Sequence, residues 1–354
     1  MRGSRTARDD VIGAIEVRHR GGSPRDPSGG WGPASPNRPA GPTLTLMADP
    51  VALTIGNFDG VHRGHVALLH AARERLGPGG RVVVVTFDPH PAVVLRPRSA
   101  PARLGTTDQR RRWLLAAGAD EVEVLPATPE LLERSADRFL GDLVSRLNPT
   151  LVVEGPDFRF GRARAGTVET LRDAGARGGF EVLILDPVTV ALADQTVVAV
   201  SSSMIRWLVE HGRVEDAGTG LGRAYELEAT VVRGDQRGRR IGFPTINLRH
   251  GDLLLPRDGV YAGRAQRPDG RMYQAAISVG TKPTFGRSER VAEAYLIEYD
   301  GPVDDYDWTV RLRVEHWLRD QLTYPSLPPL LEQLDRDVER TRALVPLETA
   351  CARS

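Results

Sequence analysis

Near Tyr225 the hydrophobic pattern of this chain changes its period, and no other feature limits the fold as much. Before that point, short continuous apolar runs alternate with helical stretches. Val51-Ala-Leu-Thr-Ile55, Val82-Val-Val-Val-Thr-Phe87, Val122-Glu-Val-Leu125, Leu151-Val-Val153 and Val182-Leu-Ile-Leu185 read as strands. The second of these opens with four valines, which suits a strand buried on both faces of a parallel sheet. Helical patterns over residues 66–76, 136–147 and 203 to about 214 complete a doubly wound α/β domain. Beyond Tyr225, alternating runs over 227–232, 260–265, 272–279, 292–299 and 308–314 follow one another. Turns such as Arg267-Pro-Asp-Gly270 and Asp300-Gly-Pro302 separate them, which predicts a small antiparallel barrel. A last helix carries Leu327, Leu330, Leu331, Leu334, Val338 and Leu344 on one stripe. At about 150 residues per domain, 354 residues allow two. The expected division is a Gly/Pro-rich extension or over-called start at 1–46, domains at 47–222 and 223–347, and a tail at 348–354.

Composition removes several function classes. Lys and Arg total 47 against 46 Asp and Glu, a formal net charge of +1. No electrostatic case for a nucleic-acid or membrane-surface partner follows. No apolar run approaches the ~18 residues that a spanning helix needs. The single cysteine, Cys351, excludes an internal disulfide and a cysteine-built zinc site, and a reducing cytoplasm is the expected location. The only lysine is Lys282, in Gly280-Thr-Lys-Pro283, which lacks the upstream glycines of a phosphate-binding P-loop. If the protein handles ATP, then histidines, arginines and backbone amides must do it.

Ile55-Gly-Asn-Phe-Asp-Gly-Val-His-Arg-Gly-His65 joins the first strand to the first helix. Gly56 and Gly60 permit close backbone approach to a ligand. His62 and His65, three apart at a helix N-terminus, lie where free amides and the dipole favour an anion. Imidazoles there suit charge that builds up on a phosphate during transfer. Three further strings end or follow elements of the same sheet: Thr86-Phe-Asp-Pro-His-Pro91, Glu154-Gly-Pro-Asp-Phe-Arg-Phe-Gly161 and Ser201-Ser-Ser-Met-Ile-Arg206. Each also has a plain structural reading, as a turn, as aromatic core, or as a helix cap. In the second half, Gly234, Gly238 and Gly242 stand four apart before Pro244-Thr-Ile-Asn247. Such a loop can cover phosphates, and Thr245 with Asn247 offers two neutral oxygens to magnesium already held by ATP. A glycine-rich hairpin explains the same string equally well.

Taken together, residues 47–344 resemble the bacterial bifunctional riboflavin kinase/FAD synthetase family. The similarity lies at Gly56 to His65, Thr86 to Pro91, Asp157 to Gly161 and Ser201 to Arg206 for the first module. For the second it lies at Gly238 to Asn247, Asp258 to Gly263, Ser278 to Gly286 and the Glu293-Ala-Tyr string. The resemblance implies a nucleotidyltransferase domain, then a flavin kinase barrel with a C-terminal helix. It implies that riboflavin and ATP give FMN, and that FMN and ATP give FAD and pyrophosphate. Mg²⁺ would accompany ATP at Thr245 and Asn247, and FMN and FAD would be substrate and product rather than prosthetic groups. By the same resemblance His62, His65 and Arg206 are catalytic in the first module and Glu293 is the general base of the second. Gly56, Asn57, Phe58, Asp59, Gly60, Ser202, Ser203, Gly238 and Gly242 would contact ATP. Asp88, Pro89, His90, Asp157 and Phe158 would line the flavin side. The sequence departs from the family pattern at Glu154-Gly-Pro156, at Ala199-Val200, and at Arg319-Asp-Gln-Leu-Thr-Tyr324. Alternatives are a related nucleotidyltransferase acting on another phosphate, a single-activity FAD synthetase with a weakened kinase module, and a flavin-binding regulator.

Overall fold

The computed structural model describes residues 49–284, 287–302 and 304–347. The expectations for residues 1–46 and for the tail lie outside the described residues. Strands β1 (Val51–Ile55), β2 (Arg81–Asp88), β3 (Glu121–Pro126), β4 (Leu151–Glu154) and β5 (Glu181–Ile184) form one parallel sheet in the order β3-β2-β1-β4-β5. Its valines are buried on both faces because side chains alternate across each strand. Ala52, Val82, Val84 and Leu151 pack with Leu69 and Ala72 of the helix Arg63–Leu76. Leu53, Ile55, Val85 and Val152 pack on the other face with Phe139, Leu140 and Leu143 of the helix Ala136–Leu147. The central strand β1 lies between β2 and β4, so the winding reverses there and a crevice opens beyond its carboxyl end.

Three details differ from the sequence expectation. The first helix begins at Arg63, three residues earlier than Val66. A small hairpin, β6 (Thr189–Ala191) and β7 (Val197–Ala199), follows β5 and had no periodic signal. The helix expected over 203–214 ends at Glu210, and Val214–Leu221 starts another. Gly212, at φ +75°, makes the break, and Arg213 Nε donates to Asp216 across the new first turn at 2.6 Å.

The second half is a closed antiparallel barrel of β8 (Tyr225–Val232), β9 (Thr245–Arg249), β10 (Gly259–Gln266), β11 (Met272–Thr284), β12 (Arg287–Leu296) and β13 (Thr309–Arg319). The order is β10-β11-β12-β9-β8-β13, with β13 returning to β10, so among the described residues every barrel strand is paired on both sides. Every second residue of β8, from Tyr225 through Leu227 and Ala229 to Val231, is buried in the interior with Leu312 and Ile277. That core is continuous with Ile205, Leu208 and Ala217 of the two preceding helices. The last helix, Leu327–Leu344, is present, but its apolar stripe is less buried than expected. Leu327 and Leu344 are exposed, whereas Asp337 and Thr341 are the residues it buries. The helix is tied down by a polar bond: Arg319 of β13 donates from Nε and Nη2 to Asp337 at 2.7–3.0 Å.

Candidate active sites

The loop after β1 is held in an uncommon backbone form. Phe58 and Val61 have φ of +47° and +40°, and Gly60 lies at +81°. Only glycine adopts such angles at low cost, and for a β-branched valine they need firm support. That support comes residue by residue. The Asn57 carbonyl accepts from Arg110 Nη1 at 2.7 Å and from Thr86 Oγ1 at 3.2 Å. The Asp59 carbonyl accepts from Ser202 Oγ at 2.7 Å. Carbonyls of Gly60 and Val61 accept from Arg223 at 2.5 and 2.9 Å. The loop therefore delivers the chain to His62 in one defined direction.

His62 and His65 stack with centroids 3.6 Å apart, and His65 Nδ1 accepts from the His62 backbone N–H at 3.3 Å. Phe58 meets the His65 ring edge-on at 4.9 Å. Burial, reinforced by Arg223 and Arg206, pushes His62 down to about 4. Burial, then His62, Arg223 and Arg110, hold His65 well below the ordinary value. Both imidazoles are thus neutral near pH 7, and act as hydrogen-bonding groups rather than fixed cations until an anion enters. They line one cleft with Gly56, Phe58, Glu154, Asp157 and Phe158.

The structure sorts the other sequence candidates into two groups. Asp157 is exposed at the cleft, and Phe158 stacks on Phe160 at 5.2 Å while reaching both cleft and core. Asp59, in contrast, turns its carboxylate inward, accepting from the Leu104 amide at 3.1 Å and from Arg206 Nη2 at 2.5 Å. Arg206 also donates from Nε to the Ala102 carbonyl at 2.8 Å. Ser201 caps its helix by accepting from the Met204 amide, while Ser203 is exposed. Asp88 lies 3.6 Å from Arg103 and 3.8 Å from Arg110, outside the histidine cleft. After Pro89, His90 Nδ1 accepts from the Ala92 amide, and burial lowers its pKa. Asp88 and His90 thus line a separate arginine-rich side of the same loop.

Sequence reasoning did not select Arg110, Arg223 or Glu154 as site residues. Glu154 is buried at the cleft wall, where Oε1 accepts from the Ile55 amide at 2.6 Å and burial raises its pKa well above the usual range. Its signals in the sequence were a carboxylate after an apolar strand and the departure from the family pattern at Glu154-Gly-Pro156. The arginines sit among 47 basic residues with no distinguishing motif.

In the barrel, register brings the second set together. Glu293 of β12 is paired with Asn247 of β9, two positions from Thr245. Thr245 Oγ1 donates to Glu293 Oε2 at 3.4 Å. Gly238 must be glycine, because a Cβ there would lie 2.2 Å from the Phe243 carbonyl oxygen. Gly242, at φ +88°, turns the loop back toward β9. Thr245, Glu293 and Gly238 line a cleft with Phe243, Arg319, Gln321, Tyr324 and Asp337. Thr245 and Asn247 also face an adjoining pocket with Gly234, Tyr306 and Trp308. The departures near the C-terminus are built into the first cleft: Gln321 Nε2 donates to Ser278 Oγ at 3.0 Å, and Tyr324 buries its hydroxyl there. Among the described residues no three His, Cys, Asp or Glu side chains form a metal-holding cluster.

Comparison with known proteins gives the same two-part division. Residues 46–202 match the family described as FAD synthetase, and residues 221–345 match riboflavin kinase. The bifunctional riboflavin kinase/FMN adenylyltransferase of Listeria monocytogenes is 33% identical over 295 residues, covering 82% of this chain and 91% of that protein. The Escherichia coli K12 protein of the same name is 32% identical, covering 80% and 90%. A solved structure described as a macrolide-efflux protein from Streptococcus pneumoniae superposes with a TM-score of 0.73 at 30% identity, covering 84% of this chain and 95% of that one. Among the described residues no helix is long and apolar enough to cross a membrane. With both family models matched in series and these relatives aligned over most of their length, the chain belongs to the bifunctional riboflavin kinase/FMN adenylyltransferase family.

Proposed function

We propose that the barrel phosphorylates riboflavin with ATP and that the α/β module joins the resulting FMN to a second ATP. The observation that supports this most is the register that sets Glu293 beside Asn247 and within reach of Thr245. In the barrel, Glu293 takes the proton from the terminal ribityl hydroxyl as that oxygen attacks the γ-phosphorus, and ADP leaves. Thr245 and Asn247 fit Mg²⁺ because they are neutral oxygen donors, and this ion keeps waters and phosphate oxygens as its other ligands. When bound with ATP it neutralises phosphate charge. The Gly238–Gly242 loop covers the phosphates, and Arg319, Gln321 and Tyr324 wall the flavin side.

In the α/β module an FMN phosphate oxygen attacks the α-phosphorus of ATP, and pyrophosphate leaves. His62 and His65, neutral when the cleft is empty, donate hydrogen bonds to the phosphates that enter and gain proton affinity from them. Ser202 and Arg206 assist from the helix Ser202–Glu210, which they tie to the histidine loop through the Asp59 carbonyl and carboxylate. Asp157 and Phe158 face the flavin across the cleft, with Asp88, Pro89 and His90 on the far side of the loop. The catalytic domains in this reading divide at 222/223, and neither nucleic acid nor membrane enters it. A cytoplasmic setting accords with a chain that carries a single cysteine. The test is direct: incubate the purified chain with riboflavin, ATP and Mg²⁺ and separate the flavins by chromatography. FMN followed by FAD is expected, and unchanged riboflavin would refute the reading.

A further inference from the structure

Arg223 lies outside every motif and follows Gly222, which caps the helix pair that ends the α/β module. Its Nη2 donates to the Gly60 carbonyl at 2.5 Å and its Nη1 to the Val61 carbonyl at 2.9 Å. The guanidinium also lies 3.8 Å over the Trp113 ring, in the helix Thr107–Ala116. The two carbonyls it holds belong to a turn in which two non-glycine residues, Phe58 and Val61, have positive φ. Such angles persist only where the surroundings over-determine them. The next residue is His62 itself. The barrel strand that follows Arg223 is fastened to the same helix, since Gln109 Nε2 donates to the Glu226 carbonyl at 3.3 Å and Arg112 pairs with Glu228.

Resting on the reading that His62 and His65 contact phosphate, we propose that Arg223 is a positioning residue for adenylyl transfer. From the start of the barrel module it clamps the Phe58–Val61 turn so that both imidazoles meet the phosphates in line. A planar fork with two donors and a stacking face suits this task, and an ammonium does not. The same guanidinium is among the charges that keep His62 and His65 neutral in the empty cleft. Its influence on the two rings is therefore visible apart from turnover.

The full chain with Arg223→Gln and with Arg223→Lys provides the test, beside the unaltered protein. FAD formation from supplied FMN should fall about 10²-fold in kcat in the Gln variant, the usual cost of a displacement near 1 Å, with little change in KM for FMN. FMN formation from riboflavin should stay at the unaltered level, because the barrel cleft is separate. By NMR, the His62 imidazole should titrate above its value of about 4 once the nearby positive charge is gone. The Lys variant should keep the low His62 titration yet remain slow, since the charge survives and the clamp does not. A full FAD rate in the Gln variant, an unmoved His62 titration, or a full rate with Lys would each overturn the proposal. A parallel fall in FMN formation would make Arg223 a merely structural residue and overturn it too. Failure of the unaltered protein to make FAD at all would instead refute the underlying functional reading.

Discussion

Replacing Glu293 by Gln separates the two halves of the proposed chemistry. The carboxylate sits on β12 opposite Asn247 and accepts from Thr245 Oγ1 at 3.4 Å. A glutamine has the same reach and can still accept that hydrogen bond through its carbonyl oxygen. Packing and strand pairing should therefore be kept, and the change in stability should stay within about 0.5 kcal/mol. What is lost is the base. Positioned proton transfer contributes about 10²–10⁴-fold, which at 1.36 kcal/mol per decade amounts to about 3–5 kcal/mol of barrel transition-state stabilisation. FMN formation from riboflavin, followed by chromatography with saturating ATP and Mg²⁺, should drop by that factor. FAD formation from supplied FMN should be unchanged, since His62 and His65 belong to another fold. A normal rate of FMN formation would show that Glu293 is only a paired strand residue. Collapse of both reactions would show that the two sites do not act separately.

Three further outcomes follow from the geometry. His65→Ala should slow FAD formation from FMN by about 10²–10³-fold while FMN still accumulates from riboflavin; an unimpaired FAD rate would disprove a role for the stacked pair. His62 has a folded pKa of about 4 against 6.5 when unfolded, so the unfolded chain binds the extra proton and stability declines as pH falls from 6.5 to about 4. That one group accounts for about 3 kcal/mol of the decline, and urea unfolding of His62→Gln should show a correspondingly flatter profile over this interval. Asp337→Ala strips a buried carboxylate from Arg319 and should cost about 3–5 kcal/mol, read as a lowered urea midpoint; an unchanged midpoint would mean that the last helix is held by its leucines instead.

Much of this protein is visible in the order of its residues, because strands and helices write their periods directly into hydrophobicity. The valine run of β2 could hardly be anything but a two-sided parallel strand, and the alternation after Tyr225 required an antiparallel sheet. Local strings also carry the histidine pair and the Thr245-Ile-Asn247 segment, since short spacings fix which side chains share a face. Other features depend on contacts between residues far apart in sequence. The Asp59 carboxylate could have faced a ligand, and it turns inward on the Leu104 amide and on Arg206, 45 and 147 positions away. Arg223 reaches back 163 residues to Gly60, and Arg110 reaches 53 to Asn57. No local pattern marks Arg110 or Arg223 among so many arginines. The last helix makes the same point, for its leucine stripe suggested an apolar anchor while the fold buries Asp337 against Arg319. Periodicity determines which elements form, but the partners of a buried charge are decided by which elements the closed chain brings side by side.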